Sequence, residues 1–290
     1  MDLEELPSAI DNKNVPAFVD FCCKIIEKHG LDHVGLYRIP GNTSAISAVQ
    51  KRFPQIEQNY IQALENSEAN CNINAYCSAL KNFLRTLPEP LIPRQFYDQI
   101  IAANRNSDKR LRMINLQRVI NKLPRRNFET LRYLSAHLGR VAVKKDTNKM
   151  DYSNLAIIFG PTLLRAAANN NNQRKHHYLS NSSAFLKKPL SIISSHDRDN
   201  ILGFKGASDT LDQCLVTKAL LEHVIFLLFS NNPCIFNNVE YHFSMLGSSM
   251  MSMPMMTMRF QMTPEVLMDS TVFSVASTLL VSALQHVNFH

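Results

Sequence analysis

Apolar side chains return every three or four positions in segment after segment up to residue 165, and no strand-like alternation of useful length interrupts them. A chain patterned this way must bury helical stripes against one another, so it reads as all-α, a multi-helix bundle. The sharpest stripe covers 74–87, where Tyr76, Leu80, Phe83, Leu84 and Leu87 share a face and Pro88 and Pro90 close the helix. Upstream, Phe18, Cys22, Ile25 and Ile26 mark a helix over 15–29, with Pro16 in its first turn and Gly30 at its end. Asn42 suits the N-cap of a helix carrying Ile46, Val49 and Phe53, and 54–73 reads as a polar connection. Further on, 94–103 carries Phe96, Ile100 and Ile101, and Ser107 suits the cap of a helix with Met113, Leu116, Ile120 and Leu123. Another helix starts after Asn127, with Phe128, Leu131, Leu134 and Leu138. A last one near 153–159 takes Ser153 as cap and is broken by Gly160-Pro161.

Between the first two helices lies Gly35-Leu36-Tyr37-Arg38-Ile39-Pro40-Gly41-Asn42, whose Pro40 and Gly41 place Arg38 on a loop. On the 74–87 helix, Lys81 and Arg85 are four apart and project from one face, away from most of the apolar stripe. Taken alone, Arg38 reads as a surface residue and the Lys81/Arg85 pair as a solvated basic face.

The net charge of +7 is confined to the first part of the chain: residues 1–165 hold 23 Lys and Arg against 16 Asp and Glu, and the remainder is balanced. A basic surface draws acidic partners, and its sign does not choose among nucleotide-loaded proteins, anionic lipid and nucleic acid. The six cysteines show no paired Cys-x-x-Cys spacing for zinc, and Cys22 and Cys77 fall on apolar faces. The acidic start, Met1-Asp2-Leu3-Glu4-Glu5-Leu6, lacks a signal-peptide pattern, so a reducing, cytoplasmic setting is the expectation. No Gly-x-x-x-x-Gly-Lys-Ser/Thr, His-Glu-x-x-His or Gly-x-Ser-x-Gly set occurs, and His137 reads as a packing or capping residue.

Four segments in order, Gly35 to Asn42, Ala79 to Ile92 (ALKNFLRTLPEPLI), Leu134 to Leu138 (LSAHL) and Asn154 to Arg165 (NLAIIFGPTLLR), resemble the RhoGAP domain, the GTPase-activating module for Rho-family small GTPases. The resemblance runs from about Leu3 to Arg165 and resumes more weakly over Leu211 to Phe229. It implies a domain over 3–229 that acts on a Rho-family GTPase in its GTP-bound state, with Arg38 as an arginine finger supplied in trans. It further implies that Arg85 braces the Arg38 loop, that Lys81 contacts the GTPase, and that Asn154 and the Pro161 region form the same partner-binding face. Arg165 receives a structural role. GTP and Mg2+ belong to the partner, so no cofactor of its own is expected. A module that binds the GTPase without accelerating hydrolysis, because the domain is truncated or distorted, is the alternative. Peripheral contact with an anionic membrane ranks after both, and nucleic acid is not expected, since no aromatic-interleaved basic motif occurs.

The family ordinarily carries more chain before this point, which implies a shortened N-terminus. Residues 166–209, with Asn169-Asn170-Asn171-Asn172 and scattered Ser, Lys and His, read as a disordered, low-complexity insertion. Residues 210–229 restore a helical pattern through Leu211, Leu215, Leu220, Val224, Leu227 and Leu228, with Asp209 and Asp212 suited to its N-terminus. The tail, 230–290, is methionine-rich and reads as largely unstructured. Its uncharged run Thr271 to Leu284 is too short for the roughly 20 residues that span a bilayer, and reads as a terminal helix.

Overall fold

The computed structural model describes residues 2–65, 71–166 and 205–223. Of the insertion expected over 166–209, residues 205–209 are helical instead, while 167–204 lie outside the described residues, as do the tail over 230–290 and Val224, Leu227 and Leu228. Among the described residues there are helices and two isolated bridges, Ser8–Pro16 and Ile92–Leu164, and no strand. The helices are α1 (Ala17–His29), α2 (Thr43–Ile56), α3 (Tyr60–Glu65), α4 (Ile73–Thr86), α5 (Tyr97–Asn104), α6 (Lys109–Ile120), α7 (Arg125–Val143), α8 (Lys145–Asn148), α9 (Tyr152–Leu163) and α10 (Lys205–Glu222).

The core is organised on α1, which packs against α3, α4 and α7 and buries Val19, Cys22, Cys23, Ile25 and Ile26 almost completely. Facing it, α4 buries Cys77, Leu80 and Leu84, each large aliphatic chain contributing about 1.5–3 kcal/mol relative to exposure. At one end of α1, Phe18 and Phe21 stack with Phe53, Tyr60, Tyr76 and Phe83 at centroid distances of 5.0–6.1 Å. Asp20, buried beside this cluster, accepts hydrogen bonds from the phenols of Tyr60 and Tyr133, both at 2.6 Å, and pairs with Lys24 at 3.0 Å. Two hydroxyls and an ammonium thereby satisfy a carboxylate that would otherwise be costly to bury. The N-terminal segment is tied down by Arg126, whose guanidinium donates to the carbonyls of Glu4 and Leu6.

Several boundaries differ from the sequence reading. The stretch taken as a polar connection continues α2 through Pro54 to Ile56, makes a 3-10 turn over Glu57–Asn59 and forms α3, because Phe53, Tyr60 and Leu64 are drawn into the core. Asp108 rather than Ser107 caps α6, accepting from the Leu111 amide at 3.0 Å. α7 starts at Arg125 behind Pro124, and Asn127 is a buried helical residue whose side-chain amide donates to the Leu91 carbonyl at 2.9 Å. Asp151 rather than Ser153 caps α9, which runs through Gly160-Pro161 to Leu163. Burial of Phe159, Thr162 and Leu163 on both sides of the proline outweighs its missing donor. α10 begins at Lys205, so Asp209 lies within it, and Asp212 pairs at 2.5 Å with Arg105, which follows the end of α5.

α9 and α10 meet at an unusually close seam. A β-carbon on Gly160 would lie 2.9 Å from the backbone nitrogen of Cys214 and 2.9 Å from the carbonyl carbon of Gln213. Only a residue without a side chain lets the two helices approach so closely. Ala156 and Cys214 fill the seam, both buried.

Candidate functional site

The loop joining α1 to α2 is built by its own backbone. Gly30 caps α1 through its N–H to the Ile26 carbonyl, and the Gly35 carbonyl accepts from both Arg38 and Ile39, at 2.8 and 2.9 Å. Asn42 closes the loop by capping α2, its side chain accepting from the Ser44 amide at 2.8 Å. Arg38 is exposed on this loop, while Leu36 and Tyr37 before it are wholly buried. Tyr37 has φ of 66°, a left-handed conformation that costs a non-glycine residue about 1–2 kcal/mol.

That conformation is held from several directions. The Tyr37 carbonyl accepts from Lys81 Nζ of α4 at 2.5 Å. Its phenol meets His137 Nε2 of α7 at 2.6 Å, and its ring packs edge-on against Phe159 of α9 at 5.0 Å. His137 Nδ1 lies 2.6 Å from Glu27 Oε1, the same oxygen that accepts from Arg140 at 2.6 Å. Burial favours the neutral form of Glu27, but the His137 hydrogen bond and the Arg140 guanidinium outweigh it and hold the carboxyl down at about 2. An ionised Glu27 can only accept, so Nδ1 carries hydrogen toward it. Nε2, on the other side of the ring, shares a hydrogen bond with the Tyr37 hydroxyl, whose ionisation burial pushes well above the usual phenol range.

The sequence-predicted residues gather around this loop, with altered partners. Lys81 is buried at 9% exposure rather than solvated, because the Arg38 loop covers it. The bracing hydrogen bond expected of Arg85 comes from Lys81. Arg85 is exposed, and its Nε donates to the Thr162 hydroxyl beside Pro161 at 3.2 Å. Pro161 itself is half-buried within α9. Asn154 is half-buried in the first turn of α9 and donates to the Lys149 carbonyl at 3.1 Å. The adjacent Asn148 carbonyl accepts from Gly35 at 2.8 Å, which ties the start of α9 to the Arg38 loop. Arg165 donates to the carbonyls of Arg85 and Leu87, fastening the end of α4.

The surface so formed is electropositive. Burial, then the neighbouring charge of Arg85, lowers the Lys81 ammonium to about 8, and burial lowers Arg85 as well. Among the described residues, neither Arg38, Lys81 nor Arg85 forms a salt bridge. Uncompensated cations, two of them exposed guanidiniums, suit an anionic partner group. No cluster of His, Cys, Asp or Glu among the described residues could hold a metal, and no helix among them is long and apolar enough to cross a membrane.

Tyr37, Glu27, Arg140 and Asn148 were not singled out from the sequence, because each partner lies a hundred or more residues away or on an irregular turn. Gly41 is a contact that local pattern also hides. A β-carbon there would lie 2.7 Å from Ala75 Cα and from the Asn74 carbonyl, and its N–H donates to Ser78 at 3.0 Å. Gly41→Ala is expected to push the loop off α4 at a cost of about 1–3 kcal/mol, read as a fall in melting temperature.

Comparisons with known proteins bear on the family and the fold. The RhoGAP domain family model matches residues 16–168. Mouse Rho GTPase-activating protein 21 is 43% identical over 163 residues, which is 56% of this chain but 8% of that protein. The Caenorhabditis elegans GTPase-activating protein pac-1 is 38% identical over 168 residues, 56% of this chain and 10% of that protein. The chain thus spans about a tenth or less of the length of these relatives. Among solved structures, human Rho GTPase activating protein 15 superposes with a TM-score of 0.54 at 28% identity, covering 74% of this chain and 85% of that one. The BH domain of GRAF, the GTPase regulator associated with focal adhesion kinase, gives 0.51 at 25% identity, covering 73% and 93%. The helical bundle, the basic loop-and-helix face and the family match over more than half of its length agree: this chain belongs to the RhoGAP domain family.

Proposed function

We propose that this chain accelerates GTP hydrolysis by a Rho-family small GTPase, presenting Arg38 to the partner's nucleotide. The observation that carries the reading is the Arg38 loop: an exposed guanidinium immediately follows a buried, doubly anchored residue. As the γ-phosphoryl group transfers, charge shifts on its oxygens, and a planar, permanently charged donor stabilises that charge. Arg85, Asn154 and Pro161 border the face on which the partner sits, and Lys81 holds the loop from beneath. The nucleotide and its Mg2+ come with the GTPase.

The test is single-turnover hydrolysis with a panel of purified GTP-loaded Rho-family GTPases, with and without the protein. Stimulation of at least one member is expected. Saturable binding to the GTP-loaded form without acceleration would replace this reading with that of a binding module, and neither binding nor acceleration by any member would overturn both.

A further inference from the structure

We propose that Tyr37, His137, Glu27 and Arg140 form a positioning relay that aims Arg38, an inference that rests on the function proposed above. The peptide plane between Tyr37 and Arg38 is fixed on both edges: its carbonyl accepts from Lys81 and its N–H donates to the Gly35 carbonyl. Pinning that plane fixes the direction in which the Arg38 side chain leaves the loop. The plane can lie this way only while Tyr37 stays left-handed, and the phenol is its second handle. Through it the loop is tied by His137 to α7, and by Glu27 to α1. Arg140 closes the chain on the same carboxylate oxygen.

A purely structural role would not call for these groups. Tyr37 and His137 are wholly buried, and their environment includes Phe159, Cys22, Cys23 and Cys77. Apolar side chains of similar volume could fill such a site with no polar atoms to satisfy. A buried hydrogen-bonded network instead selects one conformation among several, and here that conformation belongs to the residue preceding the exposed guanidinium. The reach is long in sequence, 100 residues from Tyr37 to His137 and 110 from His137 to Glu27, but continuous in space.

The experiment uses the full chain with a responsive GTPase and separates the maximal stimulated rate from the protein concentration giving half of it. Tyr37→Phe keeps the ring and its contact with Phe159 and deletes only the hydroxyl. Its maximal rate is expected to fall roughly tenfold, short of the ~100-fold that a 1 Å misplacement can cost, with the half-saturating concentration unchanged within about twofold. His137→Leu is expected to behave likewise, while His137→Gln, whose amide can either donate to or accept from the phenol, regains at least half of the lost logarithmic rate. Ile100→Val, a core change remote from the loop, controls for stability, and all assays are run below each variant's melting temperature. Parental maximal rates in Tyr37→Phe and His137→Leu would overturn the relay, as would equal loss in His137→Leu and His137→Gln. Arg38→Ala, run alongside, keeps the two readings apart. If it stimulates like the parent, the function assigned to Arg38 fails; if it is silent while Tyr37→Phe is fully active, only the relay fails.

Discussion

Arg38→Ala is expected to lower the stimulated single-turnover rate by roughly 10³–10⁵-fold, the contribution of an arginine supplied in trans in such systems. Affinity for the GTP-loaded GTPase should change by no more than a few fold, because Arg85, Asn154 and Pro161, the residues proposed above to border the partner, remain in place. Folding should be untouched, since Arg38 is exposed and such surface changes usually stay within about 0.5 kcal/mol. Arg38→Lys keeps the charge but loses the planar fork, so it should resemble alanine more than the parent. The measurement is rapid-quench hydrolysis at saturating protein together with a binding isotherm on a non-hydrolysable complex. A rate loss that disappears at higher protein concentration would assign Arg38 to binding rather than to the chemical step.

Glu27→Ala should be the most damaging change to stability among the polar residues of the site. It removes the acceptor of both His137 and Arg140 and leaves a guanidinium uncompensated, with only 14% of its side chain exposed. Breaking a buried pair from one side costs about 3–5 kcal/mol. The depressed ionisation of Glu27 points to the same size: from an ordinary 4.5 to about 2, a contribution of about 3 kcal/mol. For a domain of this size that is a fall of roughly 6–12 °C in melting temperature. The pH dependence has a definite sign. A carboxyl depressed in the folded state contributes fully above its unfolded value, so the stabilisation is complete above pH 4.5 and is lost as pH falls toward 2. Glu27→Ala should therefore flatten the acid limb of the stability curve in that window, as measured by denaturant unfolding at successive pH values. An acid limb unchanged by the substitution would contradict the assignment.

Much of this fold could be read from the chain, and the exceptions share a cause. Helical stripes are local, so α1, α4 and α7 were legible, as were the Gly30 and Asn42 ends whose caps act within four residues. Caps failed where two candidates stood close together: Asp108 beside Ser107, and Asp151 near Ser153. There the wider fold chose. α3 was missed because its short apolar content, Tyr60 and Leu64, makes sense only against α1 and Phe53. Arg38, Lys81, Arg85 and Asn154 were legible from motif, but not their local partners: the hydrogen bond to the loop comes from Lys81, and Arg85 reaches Thr162. Helical periodicity does not register an irregular loop lying over a helix. The same blindness hid the Tyr37 chain, whose partners come from helices separated by most of the domain.

The close approach at Gly160 gives the chain a built-in chemical clock. α10 packs against α5, α7 and α9 and buries Val216, Leu220 and Leu221, and these contacts hold it on the bundle. The ion pair that reaches from the end of α5 to α10 is too open to solvent to contribute much, since 57% of the Arg105 side chain is exposed. Separation of the two helices would bare the Cys214 sulfur, which burial otherwise keeps as an unreactive thiol, its ionisation pushed up to about 12. The rate at which an alkylating reagent captures that sulfur would then report how often α10 leaves the bundle, without any label being added.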